Sequence, residues 1–453
     1  MADVRLRPPV GPSGAPMAGS AAAGPSLLRR LHALVLRIDA ATPADRDRAI
    51  DVLRALSAIG VVLGHWLVTA VTLRADGHLM GDSPLRHMPA LTPVSWVLQP
   101  LAVFFFVGGR VAARGYVTAG AGRPHYGPWL VRRMRRLLRP VGTLLFLWML
   151  VVLGLAVAGV AHETISTLLK LVVSPLWFLL VFLVLTAATP LVQRAPGRTA
   201  VVACAVVAVL DVAHFAGGGV DWVETVRNVN VLAGWLVPYC LGAVWAAGGF
   251  ARRRHAVVLL VTGVLATAAL IVWGGYPASM VGVPGTAMSN LNPVSLAAVT
   301  FGLAQCGAAL LLCGPLRRLV GQRRPGVVGH SPGHVAGDAL GRDPGHAPGR
   351  DPGRDPGGQR FATPGQFAWA AVALMNLSVI TIFLWHQTAM LSATAITLAL
   401  TGPHSGLHTA PDTPGWVLAR LLWVPVFALL LVGLCKAFQH VEGDARGGRN
   451  KGL

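Results

Sequence analysis

At 453 residues the chain is 54% hydrophobic and only 12% charged, where an ordinary soluble domain carries about 25% charged residues, so a water-facing fold of this length is excluded. Its 38 Lys and Arg against 18 acids give a net charge of +20, which suits nucleic acid or a membrane surface until the positions of the bases decide between them. The five cysteines, Cys204, Cys240, Cys306, Cys313 and Cys435, all lie in or at the end of apolar runs without metal spacing, and read as small packing residues.

In chain order, the first 45 residues are rich in Pro, Gly, Ala and Arg and lack the apolar core and cleavage site of a signal peptide. They read as a disordered cytoplasmic tail that ends in a basic amphipathic stretch from Leu27 to Ile38. From 46 to 314 follow eight apolar runs, each near the roughly 20 residues that cross a hydrocarbon core: 49–72, 95–117, 140–161, 174–193, 199–217, 229–249, 255–274 and 294–314. Residues 315–366 are a Gly, Pro, Arg and His linker in which GRDPG begins at Gly341, Gly349 and Gly353. Its composition marks a spacer and not a repeat domain. His330, His334 and His346 stand there without an acid or Cys to complete a ligand set, so no metal site is expected. Two more runs, 367–398 and 415–438, and a cytoplasmic tail, 439–453, complete the chain. The ninth run is longer than a crossing needs, which implies tilt or an interfacial start. The fold class expected is all-α, a polytopic transmembrane helix bundle of about ten spans.

Placing both termini inside puts 31 of the 38 bases in cytoplasmic segments and five, Arg74, Arg86, Lys170, Arg227 and Arg420, outside, with Arg54 and Arg110 inside spans. That asymmetry fixes the expected orientation. It also accounts for the positive charge by the lipid bilayer, and no nucleic-acid module accompanies it.

The first span reads AIDVLRALSAIGVVLGHWLV. Arg54 and His65 are eleven residues apart, which is three turns plus about 20°, so they share a face about 16 Å apart along the axis. Asp51 lies one turn before Arg54 and can pair with it, while Gly60 and Gly64 offer a small-residue face for close helix approach. Two readings stand: Arg54 snorkels to the inner interface and His65 is a hydrogen-bonded core residue, or both line a polar site inside the bundle.

The span resembles the first helix of the membrane acyltransferase 3 family, in which an Arg, ten intervening residues and a His occur as in RALSAIGVVLGH here. Similar too are PLAVFFFVGGRVAARGY on the second span, the basic WLVRRMRRLLRP at 129–140, SPLWFLLVFLVLTAATPLV on the fourth and SVITIFLWHQ on the ninth. The resemblance runs from about Arg46 to Leu400. Two positions depart from it. Gly108-Gly109 replaces the usual Ser-Gly after the Phe pair, and Ile382 and Phe383 stand where a Tyr commonly precedes the late His, so neither hydroxyl role is carried over.

The resemblance implies an acyltransferase that moves an acyl group from acyl-coenzyme A to a hydroxyl, with carbohydrates, envelope components, lipids and glycosylated metabolites as acceptor classes. A thioester needs no metal, but the attacking hydroxyl needs a near-neutral base, and His65 supplies an imidazole either as base or as acyl-accepting nucleophile. His386 is the second catalytic candidate. Arg54, Arg110, Arg133 and Arg136 are candidates to hold the phosphates of coenzyme A, since Arg binds them bidentately. Trp177 reads as an interfacial anchor and Asp211 with His214 as a wet helix end. A proton-coupled transporter or flippase is the alternative, and its expected marks are broken helices in two related halves and several intramembrane acids.

Overall fold

The computed structural model describes residues 27–120, 123–217, 220–286, 288–322 and 361–443. The tail ahead of Leu27, the GRDPG stretch with His330, His334 and His346, and the tail beyond 443 lie outside the described residues. Among the described residues, ten segments are long and apolar enough to cross a membrane.

The amphipathic stretch is helical as α1 (Leu27–Ala40). Val35 on one face packs on Ala362 and Ala370, whereas Leu27, Leu28, Leu31 and Leu34 remain exposed. The first span is α2 (Arg48–Val68). It ends short of the expected limit because Ala70–Leu73 leaves the helix as β1 and pairs antiparallel with β2 (Leu79–Asp82). Asp76-Gly77 turns this hairpin, with Gly77 at φ 83°, a conformation that favours glycine.

After the short α3 (Pro84–His87), the second crossing is broken into α4 (Thr92–Val97) and α5 (Leu101–Thr118). Pro100 disfavours helical geometry in the residue before it, and Leu98–Pro100 is irregular. The third, α6 (Arg123–Val157), has 35 residues and at 1.5 Å each runs about 52 Å, far beyond the ~30 Å hydrocarbon core. It starts well before the expected 140, so the basic WLVRRMRRLLRP is part of the helix itself, with Trp129 and Leu137 buried against the bundle. The fourth crossing is also broken, into α7 (His162–Val173) and α8 (Leu176–Ala187), at Ser174-Pro175.

Then come α9 (Thr189–Arg194), α10 (Pro196–Gly217), α11 (Asp221–Arg227), α12 (Asn230–Ala246), α13 (Arg253–Trp273) and α14 (Leu296–Leu319). The linker expected from 315 therefore begins as helix, and Arg317 within it binds Asp47. The long ninth run is two helices, α15 (Pro364–Leu377) and α16 (Val379–Thr401), of which only α16 is a crossing. A capping box starts α15: Thr363 and Gln366 satisfy each other's backbone donors. The tenth span is α17 (Pro414–Gly443).

Burial sorts these helices into layers. The crossings through α2, α12 and α14 have 56% of their apolar window buried and α16 has 67%, against 17% for α6, α13 and α17. The outer helices turn rows of Leu and Val outward, a surface that only hydrocarbon solvates without penalty. Small residues let the inner helices touch. A Cβ on Gly109 would strike the Tyr239 carbonyl of α12, and one on Gly242 the Phe106 carbonyl of α5. Gly60 and Gly64 receive Pro100 and Leu98, the break in the second crossing and not a neighbouring helix.

Two bases counted as external, Arg227 and Arg420, are 2% and 1% exposed and bond within the protein. Asp211 is likewise no wet helix end. Fully buried, it accepts hydrogen bonds from Arg227 Nε (3.2 Å), Asn230 Nδ2 (3.2 Å), Tyr276 Oη (3.0 Å) and the Leu296 amide (2.7 Å). It thus ties the C-terminal end of α10 to α11, the start of α12, the 274–295 loop and the start of α14.

Candidate active site

The site grows from the face of α2 that carries Arg54, Ala58, Val61 and His65, spaced by four, three and four residues. One turn of α2 after another faces the same way, and two cavities lie along this face. The larger one, at the His65 end and named the outer cavity for the expected orientation, has a volume of about 250 Å³ and is lined by Val61, Gly64 and His65 of α2, by the breaks at Leu98–Gln99 and Pro175, by Trp177, Phe178 and Phe383, and by the 281–291 loop. Both broken crossings thus spend their irregular backbone on this cavity, which is where such backbone is tolerated at membrane depth. The inner cavity, about 30 Å³, is lined by Ala58 and Val61, Leu137 of α6, and Phe104, Phe178, Phe182, Ile380 and Phe383. Val61, Phe178 and Phe383 line both cavities and so form the partition, with the two Phe rings 5.1 Å apart.

His65 lines the outer cavity, and its Nδ1 meets the side-chain amide of Gln387 at 3.1 Å. Nε2 is left as the ring nitrogen open to a substrate. His386 stands beside it, ring centroids 5.0 Å apart, but is fully buried and does not line the cavity. Its Nδ1–H donates to the Phe383 carbonyl at 2.6 Å, and its Nε2 has no hydrogen-bond partner among the described residues. The backbone of His386 also clamps α16 to α2, accepting from Trp66 Nε1 at 2.9 Å.

The turn that holds His65 is fixed from outside by Arg420 of α17, which donates to the carbonyls of Trp66 (2.6 Å), Thr69 (2.7 Å) and Gly406 (2.8 Å). A cation on the C-terminal carbonyls of α2 is where the helix dipole favours it.

Arg54 lies at the other end of the face. Its Nη2 donates to Asp51 Oδ1 at 3.0 Å and its Nε to Asn376 Oδ1 at 2.6 Å, and the Asn376 amide donates to the Asp51 carbonyl at 2.8 Å. Arg46 also binds Asp51, at 2.6 Å, and Arg133 and Arg136 of α6 are near enough to act on the Arg54 charge. Leu137, which lines the inner cavity, lies one turn after Arg133, so the two share a face of α6.

Arg110 is in different company. It is 8% exposed, its guanidinium lies 3.8 Å from the Trp245 ring centre, and its Nη2 reaches Asp47 at 3.4 Å. Asp47 also takes a two-pronged bond from Arg317 at 3.0 and 2.8 Å. Burial works against the Asp47 charge, but Arg317 and Arg110 outweigh it and hold the carboxyl below the ordinary carboxylate range. The sequence groups Arg54 with Arg110 by depth, and the fold gives them different partners, Asp51 and Asn376 for Arg54, Asp47 and Trp245 for Arg110.

Gln387, Asp82, Thr69, Gln99 and Trp177 were not site candidates in the sequence, yet all but Gln387 line the outer cavity and Gln387 holds His65. Gln387 directly follows His386 in SVITIFLWHQ, which was its one local signal. Asp82 arrives through the hairpin, where it pairs with His87 at 2.9 Å. The missing Ser hydroxyl at 108 has a steric counterpart: a Cβ on Gly108 would collide with the Phe182 ring.

Among comparisons with known proteins, the acyltransferase 3 family model, an acyltransferase domain, matches residues 47–329, more than half of the chain. No curated protein and no solved structure matches. The match includes Arg54, His65, Arg110, Arg133 and Arg136 and ends before α15, so His386 and Gln387 adjoin it only in space. With ten membrane-crossing segments and this match, the chain is a multi-pass membrane protein of the acyltransferase 3 family, a membrane acyltransferase.

Proposed function

We propose that the protein carries an acyl group from acyl-coenzyme A on the inner side to a hydroxyl of a carbohydrate, envelope component or glycosylated metabolite in the outer cavity. The observation that carries this reading is the continuous α2 face, with a basic cluster at Arg54, two aligned cavities, and a cavity-lining imidazole at His65. Arg54, Arg133 and Arg136 take the phosphates of the donor, a role their planar forks suit. Arg110, committed to Asp47 and Trp245, braces the same end of the bundle.

The pantetheine arm runs over Ala58 toward His65. At about 30 Å³ the inner cavity holds about one water, so Phe178, Phe383 and Leu137 must give way as the arm enters. At the thioester, His65 Nε2 takes the hydroxyl proton as the oxygen attacks the carbonyl carbon. The C–S bond then breaks, the ester remains on the acceptor, and the proton passes to the thiolate. Asp82, Gln99, Thr69 and Trp177 give the outer cavity the polar groups and aromatic face that bind a sugar. In this orientation both termini are cytoplasmic.

The test is mass spectrometry of alkali-labile acyl esters on envelope glycans and secreted metabolites, from cells with and without the protein. One acyl mass on a defined hydroxyl, present only with the protein, is expected; identical ester profiles overturn the reading. The broken crossings lend some weight to a carrier, which would move labelled substrate across vesicles without forming an ester.

A further inference from the structure

Gln387 is 1% exposed, and its amide nitrogen stands 3.1 Å from His65 Nδ1. Its Oε1 is buried with no hydrogen-bond partner among the described residues. These facts bear directly on what His65 can do, because a neutral imidazole carries one proton on one of its two nitrogens, and the partner of Nδ1 decides which.

With the amide N–H donating to Nδ1, the proton sits on Nε2, and the nitrogen open to the cavity is a donor with no lone pair to take a proton. With the amide turned by 180°, Oε1 occupies the place of Nε2 and accepts Nδ1–H. The lone pair of His65 Nε2 then faces the cavity, as a general base requires. The turn exchanges two atoms of nearly equal size, so packing around the buried side chain is unchanged. A carboxylate at 387 would offer only the accepting state and would favour a charged imidazole at rest. An amide offers both states and leaves the ring neutral.

We propose that Gln387 is the positioning residue of acyl transfer: with Oε1 on His65 Nδ1 it selects the tautomer that can act as base, and with its N–H there it holds His65 in a non-reactive state. This rests on the reading of His65 as the base. In the reactive state the acceptor hydroxyl gives its proton to Nε2 as the C–O bond forms. The imidazolium keeps Nδ1–H on Oε1, and the C–S bond breaks as Nε2–H passes to the sulfur of coenzyme A. Hydroxyl and thioester become ester and thiol, with no other reactant.

The experiment follows acetyl-CoA thiol release and ester formation on envelope glycan in purified full-length protein. Gln387→Leu and Gln387→Met, which fill the same space without an acceptor oxygen, are expected to lower kcat about 10- to 100-fold, with the KM for acetyl-CoA within about twofold of wild type. Gln387→Glu, which accepts only, should recover kcat to within about tenfold of wild type. A purely structural role would leave Glu no better than Leu or would raise KM in all three. Nitrogen-15 NMR of histidine-labelled wild-type protein with coenzyme A bound, resolved by difference against His65→Gln, reads the tautomer without touching position 387. Nδ1–H is expected. A wild-type kcat in Gln387→Leu, a Glu variant as slow as Leu, or an Nε2–H tautomer with coenzyme A bound overturns the assignment. Full transfer by His65→Gln overturns the reading beneath it, and the assignment falls with it.

Discussion

Replacing His65 by Gln removes the imidazole while keeping a polar side chain of similar reach opposite Gln387. The structural loss is small: one hydrogen bond of 3.1 Å, worth about 0.5–1.5 kcal/mol net, at a residue that already lines a cavity and so leaves no new sealed void. The chemical loss is larger. A general base contributes about 10²–10⁴ in rate, or about 2.7–5.4 kcal/mol of barrier, so activity and stability should separate. Membranes with equal amounts of wild-type and His65→Gln protein are given radiolabelled acetyl-CoA, and ester-linked label on envelope glycan is measured beside donor binding and the thermal midpoint. Transfer should fall at least about 100-fold with donor binding retained. A folded variant that keeps more than about a tenth of wild-type transfer refutes the reasoning and moves the chemistry away from the α2 face.

Arg54→Lys keeps the charge but loses the fork, and the KM for acetyl-CoA should rise about tenfold. Arg110→Ala should leave that KM unchanged and lower stability by about 1–3 kcal/mol through the loss at Asp47; equal effects of the two on KM would reunite them in one site. Phe383→Ala opens the partition between the cavities, so the ratio of kcat/KM for butyryl-CoA over acetyl-CoA should rise about tenfold, at about 0.8 kcal/mol per methylene for two methylenes. An unchanged ratio means the acyl chain passes elsewhere. Asp211→Ala strands the buried Arg227 charge and should cost about 3–5 kcal/mol, visible as a lower thermal midpoint in detergent, and a wild-type midpoint contradicts the hub role of Asp211. For orientation, Ala75→Cys in the hairpin should react with an impermeant maleimide on intact cells, and Ala44→Cys only after permeabilisation. The reverse pattern would invert the proposed topology.

By itself the sequence determined the solvent of this protein and the rhythm of its crossings. Runs of about 20 apolar residues have no other stable use than to span hydrocarbon, and the Arg54-to-His65 spacing is set by the 3.6-residue turn whatever surrounds it. Local chemistry likewise announced the amphipathic α1. What depended on contacts far apart in the chain was not legible. Ser174-Pro175 and Leu98–Pro100 look like positions in apolar runs until the fold shows that their irregular backbone lines a cavity beside His65. The long run at 367–398 hid the break at Ser378 that separates α15 from α16. Arg54 and Arg110 have equal claims by depth, and only the tertiary structure assigns Arg110 to Asp47 and Trp245, because which face of α2 a neighbour packs on leaves no periodic trace in that neighbour. Gln387 was invisible as a partner of His65 for the same reason: the two lie 322 residues apart and meet only where α2 and α16 cross. Span and face are properties of one helix and its solvent, whereas a site is a property of which helices touch.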